Sequence, residues 1–220
     1  MSVWLTIPSI RPGGGTIPKW REAGYKIAVL RQGDPIEADI HIHTDAYLGW
    51  AASINRLMRM VFEADPTCDW CVGGGDDTLP DPVLLTPIWG AQDCSLHFGG
   101  TCGVMQPTGD TWADSGGRII ERFAGSPWIG REFARRAYGG RGPLFEYPHC
   151  WADEELQNVA TKLGVFWQRR DLTHQHQHWG RGAEAKPEWW DGIAGADYHA
   201  SRALFEQRKK AGWPGHEVIP

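Results

Sequence analysis

The segment Trp70-Cys71-Val72-Gly73-Gly74-Gly75-Asp76-Asp77-Thr78 delivers two adjacent carboxylates after a short apolar run and three glycines. Hard oxygen ligands suit Mg²⁺ or Mn²⁺, ions that commonly share their coordination between one or two carboxylates and a substrate diphosphate. Glycines let a backbone approach a nucleotide closely. The same residues also fit an acidic turn ahead of Pro80 that caps a following helix. A second candidate is residues 172–179, where His174, His176 and His178 alternate. If that segment is extended, the three imidazoles share one face, and imidazole is a borderline ligand for Mn²⁺ or Zn²⁺. An exposed polar loop is the plainer alternative. Third, Cys150-Trp151-Ala152-Asp153-Glu154-Glu155 opens a helical pattern. Acids at a helix start often only complement the helix dipole, but Asp153 or Glu154 can equally face a cleft as a general base.

The elements that must position these groups alternate along the chain. Residues 3–7 form a short apolar strand ending at Pro8, and 17–23 read as a helix. Strands follow at 25–30 and 39–43, the second with strict alternation. Ala52, Ile54, Leu57, Met58, Val61 and Phe62 recur near helical period and predict a long helix over 49–63. The strand at 69–72 then runs into the glycines and aspartates. Residues 98–142 are glycine-rich and read as loops around one short helix near 130–137. Helical patterning returns at 152–163, a strand follows at 165–168, and a terminal helix spans 196–210. This alternation predicts an α/β sandwich with a mostly parallel sheet, whose C-terminal edge is where such sheets bind ligands.

Taken together, TIPSIRP, GWAASINRLM, WCVGGGDDT, WADEELQNVATKLGVFW and a terminal His-x-His resemble GT-A glycosyltransferases, most closely small family 2-type and related phage-encoded enzymes, over roughly residues 2–180. The resemblance implies a Rossmann-like GT-A sandwich in a single domain over 1–220. Residues 1–95 would be the nucleotide-sugar-binding half, 96–180 the acceptor and catalytic half, and 181–220 a helical extension. It implies that Asp76 contacts the nucleotide ribose and Asp77 ligates a divalent ion, Mn²⁺ or Mg²⁺, with His174 or His176 completing the shell. It further implies Pro8, Ser9, Arg11 and Asn55 on the nucleotide-sugar donor, UDP-glucose or similar. Asp153, with Glu154 beside it, would be the base that deprotonates an acceptor hydroxyl. Two departures stand out. Gly75 occupies the position where the family's Asp-x-Asp carries an acid, and the loop PSIRPGGGT is richer in glycine than usual.

The acceptor is addressed by charge. The chain has 220 residues and a net charge of −5, which excludes a global pull toward nucleic acid or membrane. Yet Arg118, Arg122, Arg131, Arg135, Arg136 and Arg141 outweigh Glu121 and Glu132 by four charges. Arginine binds phosphate well, so Arg131, Arg135, Arg136 and Arg141 are candidates for following a DNA backbone, and the resemblance to phage-encoded enzymes then implies a modified base such as 5-hydroxymethylcytosine as acceptor. Trp112, Trp128 or Tyr138 would then stack on a flipped base or fill its gap. Local ion pairs are the alternative for the same arginines, and a carbohydrate acceptor is the alternative substrate.

Two other functions compete: a sugar nucleotidylyltransferase using the glycine loop Arg11-Pro12-Gly13-Gly14-Gly15-Thr16, and a non-enzymatic sugar- or DNA-binding module built on 13 tryptophans. Five cysteines lack a regular framework and fit reduced thiols, although Cys68 and Cys71 with Cys94 and Cys102 could frame a structural zinc. No apolar run is long enough to span a bilayer and no secretory leader is visible, so a cytoplasmic protein without membrane partners is the expectation.

Overall fold

The computed structural model describes residues 1–82, 86–108, 112–113, 119–120, 125–181, 185–188, 190–192 and 196–216, with backbone alone at 112–113, 119–120, 181 and 196–197. In chain order the elements are β1 (Ser2–Ser9), α1 (Ile17–Glu22), β2 (Lys26–Arg31), β3 (Ile40–His43), α2 (Trp50–Ala64), β4 (Cys68–Gly73) and β5 (Thr78–Leu79). There follow α3 (Pro87–Phe98), β6 (Val104–Pro107), β7 (Trp112–Ala113), β8 (Ile119–Ile120), β9 (Trp128–Gly130), α4 (Arg131–Arg136), α5 (Ala152–Lys162), β10 (Phe166–Arg169), β11 (Gln175–His176) and α6 (Ala196–Lys210).

Seven strands form the central sheet in the order β10-β6-β9-β4-β1-β2-β3. β1 pairs in parallel with β2 and β4, β2 with β3, and β6 with β10, whereas β9 runs antiparallel to both β4 and β6. Six strands therefore end at one edge, the edge where open α/β sheets hold ligands. The mostly parallel α/β expectation is met.

Apolar alternation sends side chains to two cores, one on each face. Trp4, Ala28, Leu30 and Cys71 face α2, α4, α5 and α6, where Ile54, Leu57, Phe133, Leu156 and Phe205 meet them. Leu5, Ile7, Val29 and Val72 face α1 and α3, against Ile17, Trp20 and Ala91. Helices cover both faces because β1, β2 and β4 are apolar on both. The terminal helix α6 belongs to the first layer, since Phe205 is buried in its core.

Three elements of the central sheet and its helical layers escape the sequence reading. Helix α3 is announced by Thr86, which caps Trp89 N, and by Pro87 in its first turn. Its apolar period is blurred because Ile88, Trp89 and Leu96 are exposed. Strands β6 and β9 are only four and three residues long. Both are defined by pairing with sequence-distant partners, a long-range property that local alternation cannot express.

The cysteines do not form a zinc site. Cys68 and Cys71 lie in the α2-side core with sulfurs 3.6 Å apart, and Cys94 is buried in the core on the opposite face. The sheet separates the thiols that would have to converge, so they behave as small buried hydrophobes.

Candidate functional site

The site is built at the C-terminal edge of β1, β2 and β4. Strand β4 ends at Gly73, and the chain turns through Gly74 and Gly75 into the two aspartates. Asp76 is a hub. Its Oδ2 accepts from Ser9 Oγ (2.8 Å), Ile10 N and Arg11 N (both 3.2 Å), and its Oδ1 accepts from Arg11 Nε at 3.1 Å. Its main-chain oxygen accepts from Thr16 N at 3.0 Å. Burial raises the Asp76 carboxyl above its ordinary value, against the opposing pull of Ser9 and Arg11. Asp76 was expected on the ribose; these contacts commit its oxygens to shaping the loop that follows β1.

Asp77 faces the other way. Strand β11 pairs antiparallel with β5, His176 opposite Thr78, and Gln177 N donates to Asp77 O at 2.7 Å. That ladder sets His176 Nε2 at 3.1 Å from Asp77 Oδ1, while Arg11 Nη2 lies 3.6 Å from Asp77 Oδ2. Burial pushes the Asp77 carboxyl up, but the hydrogen bond and charge of His176, with Arg11 and His178, outweigh it and hold the group below its ordinary value. Gly75 now has a physical reason: a Cβ there would stand 2.7 Å from Asp77 Oδ1. A larger residue at this position would require the Asp77 carboxylate to shift.

The glycine loop is equally tight. Gly15 has φ +59°, and a Cβ on it would fall 2.1 Å from the Asp76 carbonyl oxygen, a backbone atom that cannot swing aside. Gly15→Ala is therefore expected to cost about 2 kcal/mol or more and to loosen the loop from Asp76. A lowered urea midpoint would check this.

Sequence reasoning missed Arg31. It is 3% exposed at the end of β2, where Nη1 donates to Ser9 Oγ (3.1 Å) and Arg11 O (2.8 Å) and Nε donates to Asp34 O (2.5 Å). No carboxylate pairs with it among the described residues. It fastens the loop from beneath, and the only clue was an arginine ending the apolar run of β2. Pro8 is in register with Leu30, and the next pair, Ser9 with Arg31, closes the β1–β2 ladder just before this loop.

The acidic helix start stands across the edge. Trp151 caps α5 in a left-handed conformation (φ 84°), its ring packed against Phe205 at 5.0 Å and Tyr198 at 5.7 Å. Driving the indole into the α6 layer is what justifies a backbone shape that bulky residues avoid. Asp153 follows half-buried, its Oδ1 accepting from Glu154 N at 2.9 Å, and Glu154 is buried. Glu155 turns inward and is fully buried among Tyr138, Tyr147 and Arg208. Between the two acidic motifs, Trp50 Nε1 donates to Gly74 O (3.1 Å), and Tyr47 O–H meets His149 Nδ1 at 2.7 Å.

Other expected residues have framework positions. His174 is 1% exposed, 3.0 Å from Ser126 Oγ and edge-on to Trp20. His176 and His178 lie ring to ring at 5.3 Å beside Asp77, whereas His174 packs on Ser126 and Trp20, so the three do not act as one ligand set. Asn55, expected on the donor, is buried in α2 and exchanges hydrogen bonds with the Leu144 backbone, which anchors that segment. Arg131 donates to the carbonyls of Phe62, Asp65 and Cys68, which ties α4 to β4. Arg135 and Arg136 both pair with Glu132, and Arg141 Nε donates to Tyr138 O. Trp128 is fully buried and Tyr138 donates to Glu155, so neither is available to a flipped base. Arg118, Arg122 and the Trp112 side chain lie outside the described residues.

Among the described residues, no group of three or more His, Cys, Asp or Glu side chains converges to hold a metal. The Asp77–His176 pair nevertheless fits a divalent ion whose remaining positions come from a substrate diphosphate: one hard oxygen and one borderline nitrogen already meet.

No protein-family model matches the sequence, and no curated protein matches it. Solved structures do resemble it in shape. The fold is that of the GT-A-type, Rossmann-like α/β class, a mostly parallel seven-stranded sheet with helices on both faces. The catalytic domain of Drosophila β1,4-galactosyltransferase 7 in complex with xylobiose superposes with a TM-score of 0.51 at 14% identity, over 84% of this chain and 75% of that one. A mutant of the same enzyme in complex with manganese, UDP-Gal and xylobiose gives a TM-score of 0.51 at 15% identity, over 85% and 76%. At such identities the likeness is one of fold.

Proposed function

We propose that the chain is a metal-dependent glycosyltransferase that moves a hexose from a nucleotide-sugar donor, UDP-glucose or a similar UDP-hexose, to an acceptor hydroxyl. The observation that carries this reading is the Asp77–His176 contact beside the loop clamped by Asp76, at the ligand-binding edge of a GT-A-type sheet. The galactosyltransferase solved with manganese and UDP-Gal lends support at the level of fold.

Each residue has a stated task. Ser9, Arg11 and the 10–15 backbone, held by Asp76 and Arg31, form a rigid seat for the nucleotide. Asp77 and His176 hold the divalent ion, whose chemistry when bound is to neutralise charge on the departing nucleoside diphosphate. Asp153 takes the acceptor proton while the acceptor oxygen bonds to the anomeric carbon and the bond from that carbon to the diphosphate oxygen breaks. Glu154, buried beside it, keeps the start of α5 in place.

The acceptor is a carbohydrate hydroxyl. Among the described residues, the arginines that suggested DNA make local contacts: Arg131 on three carbonyls, Arg135 and Arg136 on Glu132, and Arg141 on the Tyr138 carbonyl. Hydroxymethylcytosine DNA is retained as a competing arm of the test. No helix among the described residues is long and apolar enough to cross a membrane.

The test incubates the protein with Mn²⁺, a panel of nucleotide sugars and either simple glycosides or hydroxymethylcytosine DNA, with mass spectrometry of the products. A hexose gain on a glycoside, reduced at least a hundredfold in Asp153→Asn, is expected. A gain on DNA alone would replace the acceptor, and no turnover of any donor would overturn the transferase reading.

A further inference from the structure

Lys186, Trp190 and Asp191 of the C-terminal extension have no role in the chemistry described so far, yet this stretch reaches the site through Trp190. From Asp77 a continuous arc of rings leads around it. His176 meets Asp77 at 3.1 Å, its ring lies 5.3 Å from that of His178, and His178 lies 5.2 Å from Trp190. Trp190 lies 5.4 Å from His149, nearly perpendicular at 89°, and His149 Nδ1 is 2.7 Å from the Tyr47 hydroxyl. His149 stands four residues before Asp153 and Tyr47 three before α2. The arc therefore runs from the carboxylate expected to hold the metal to the helix start expected to supply the base, and Trp190 is the link that closes it.

Trp190 is fixed in this position and remains partly exposed. Trp179 packs edge-on against it at 5.3 Å, Lys186 bonds Asp191 at 2.6 Å, and the Lys186 ammonium stands 5.3 Å over the Trp179 ring. Edge-to-face contacts with three rings hold an indole more firmly than a lone surface tryptophan. Such a ring, flanked by imidazoles, offers an apolar face for sugar C–H groups and polar nitrogens for hydroxyls, the mixture that small-molecule sites use for orientation.

We infer that Trp190, with His149 and His178, forms the acceptor wall of the site and recognises the face of a pyranose ring. The inference rests on the transferase reading and assigns the extension a direct part in it. Because Trp190 links the Asp77 end of the arc to the His149 end, a pyranose stacked on it would lie between the two.

Saturation-transfer NMR on the full chain with Mn²⁺ tests this with the methyl β-glycosides of glucose, galactose and xylose, UDP, and 5-hydroxymethyl-2′-deoxycytidine as probes. Wild-type protein is expected to saturate the C–H protons of one pyranoside face. Trp190→Ala should weaken that signal at least tenfold, and Trp190→Phe should restore part of it, with melting temperature confirming that both variants are folded. A pyranoside signal unchanged in Trp190→Ala overturns the inference and leaves the transferase reading standing. So does a wild-type signal from the nucleoside without one from any glycoside, or simultaneous loss of the UDP signal in the variant. Absence of UDP binding to wild-type protein overturns both.

Discussion

Asp77→Asn is expected to lower kcat/KM for sugar transfer by about a thousandfold or more, equivalent to roughly 4 kcal/mol of transition-state stabilisation. The substitution keeps the shape of the side chain and can still accept from His176. What it removes is the negative charge that holds a divalent ion and balances Arg11. Two consequences separate this from a folding defect. Chelation should abolish wild-type transfer and leave the residual rate of the variant unchanged, and Mn²⁺ binding measured by calorimetry should be weakened in parallel. A variant that retained metal-dependent transfer within tenfold of wild type would show that the ion, or the reaction, depends on other groups. Asp76→Asn should behave differently. Its carboxylate shapes the loop after β1, so UDP binding and stability should fall together.

The largest expected effect on stability lies at Arg208. Glu155 is fully buried and accepts from Arg208 Nη2 (2.6 Å) and Nε (2.9 Å), and from the hydroxyls of Tyr138 (2.6 Å) and Tyr147 (2.5 Å). Arg208 also stacks over the Phe145 ring at 3.4 Å. Arg208→Ala leaves a carboxylate in the core with no cation beside it, a change that typically costs about 3–5 kcal/mol. For a chain of this size that corresponds to a melting temperature lower by about 10 °C. The paired substitution Glu155→Gln with Arg208→Met should recover a measurable part of the loss, because it removes both charges and keeps the volume. Equal loss in the single and double variants would mean that packing of α6, not charge, secures the helix.

The sequence exposed the fold where chemistry is local. Periodicity located α2, α5 and α6 and the strands β1 to β4, since each buries a complete face and spaces its apolar residues accordingly. It failed at β6 and β9, which are strands only by virtue of distant partners, and at α3, whose outer face is apolar as well. For the site, residue type and order drew attention to Asp77 and His176, and the structure brings them together through the β5–β11 ladder. What could not be read was the direction of each group. Asp76 turns toward the loop, Asn55 toward Leu144, and His174 toward Trp20, because each has a partner more than 20 residues away. Arg31 illustrates the converse, since nothing in a strand-terminal arginine announces that it will hold a loop reached only through the neighbouring strand.

The order in which the pieces are made has a consequence for the living chain. Strand β9 must be inserted between β4 and β6, His176 arrives only with β11, and Arg208 secures α5 later still. A polypeptide emerging from the ribosome carries the loop after β1 early, but it cannot set His176 against Asp77 until β11 has cleared the exit tunnel, nor neutralise Glu155 until Arg208 has. Premature truncation should therefore yield species that chaperones and proteases recognise as incomplete, not fragments with partial activity.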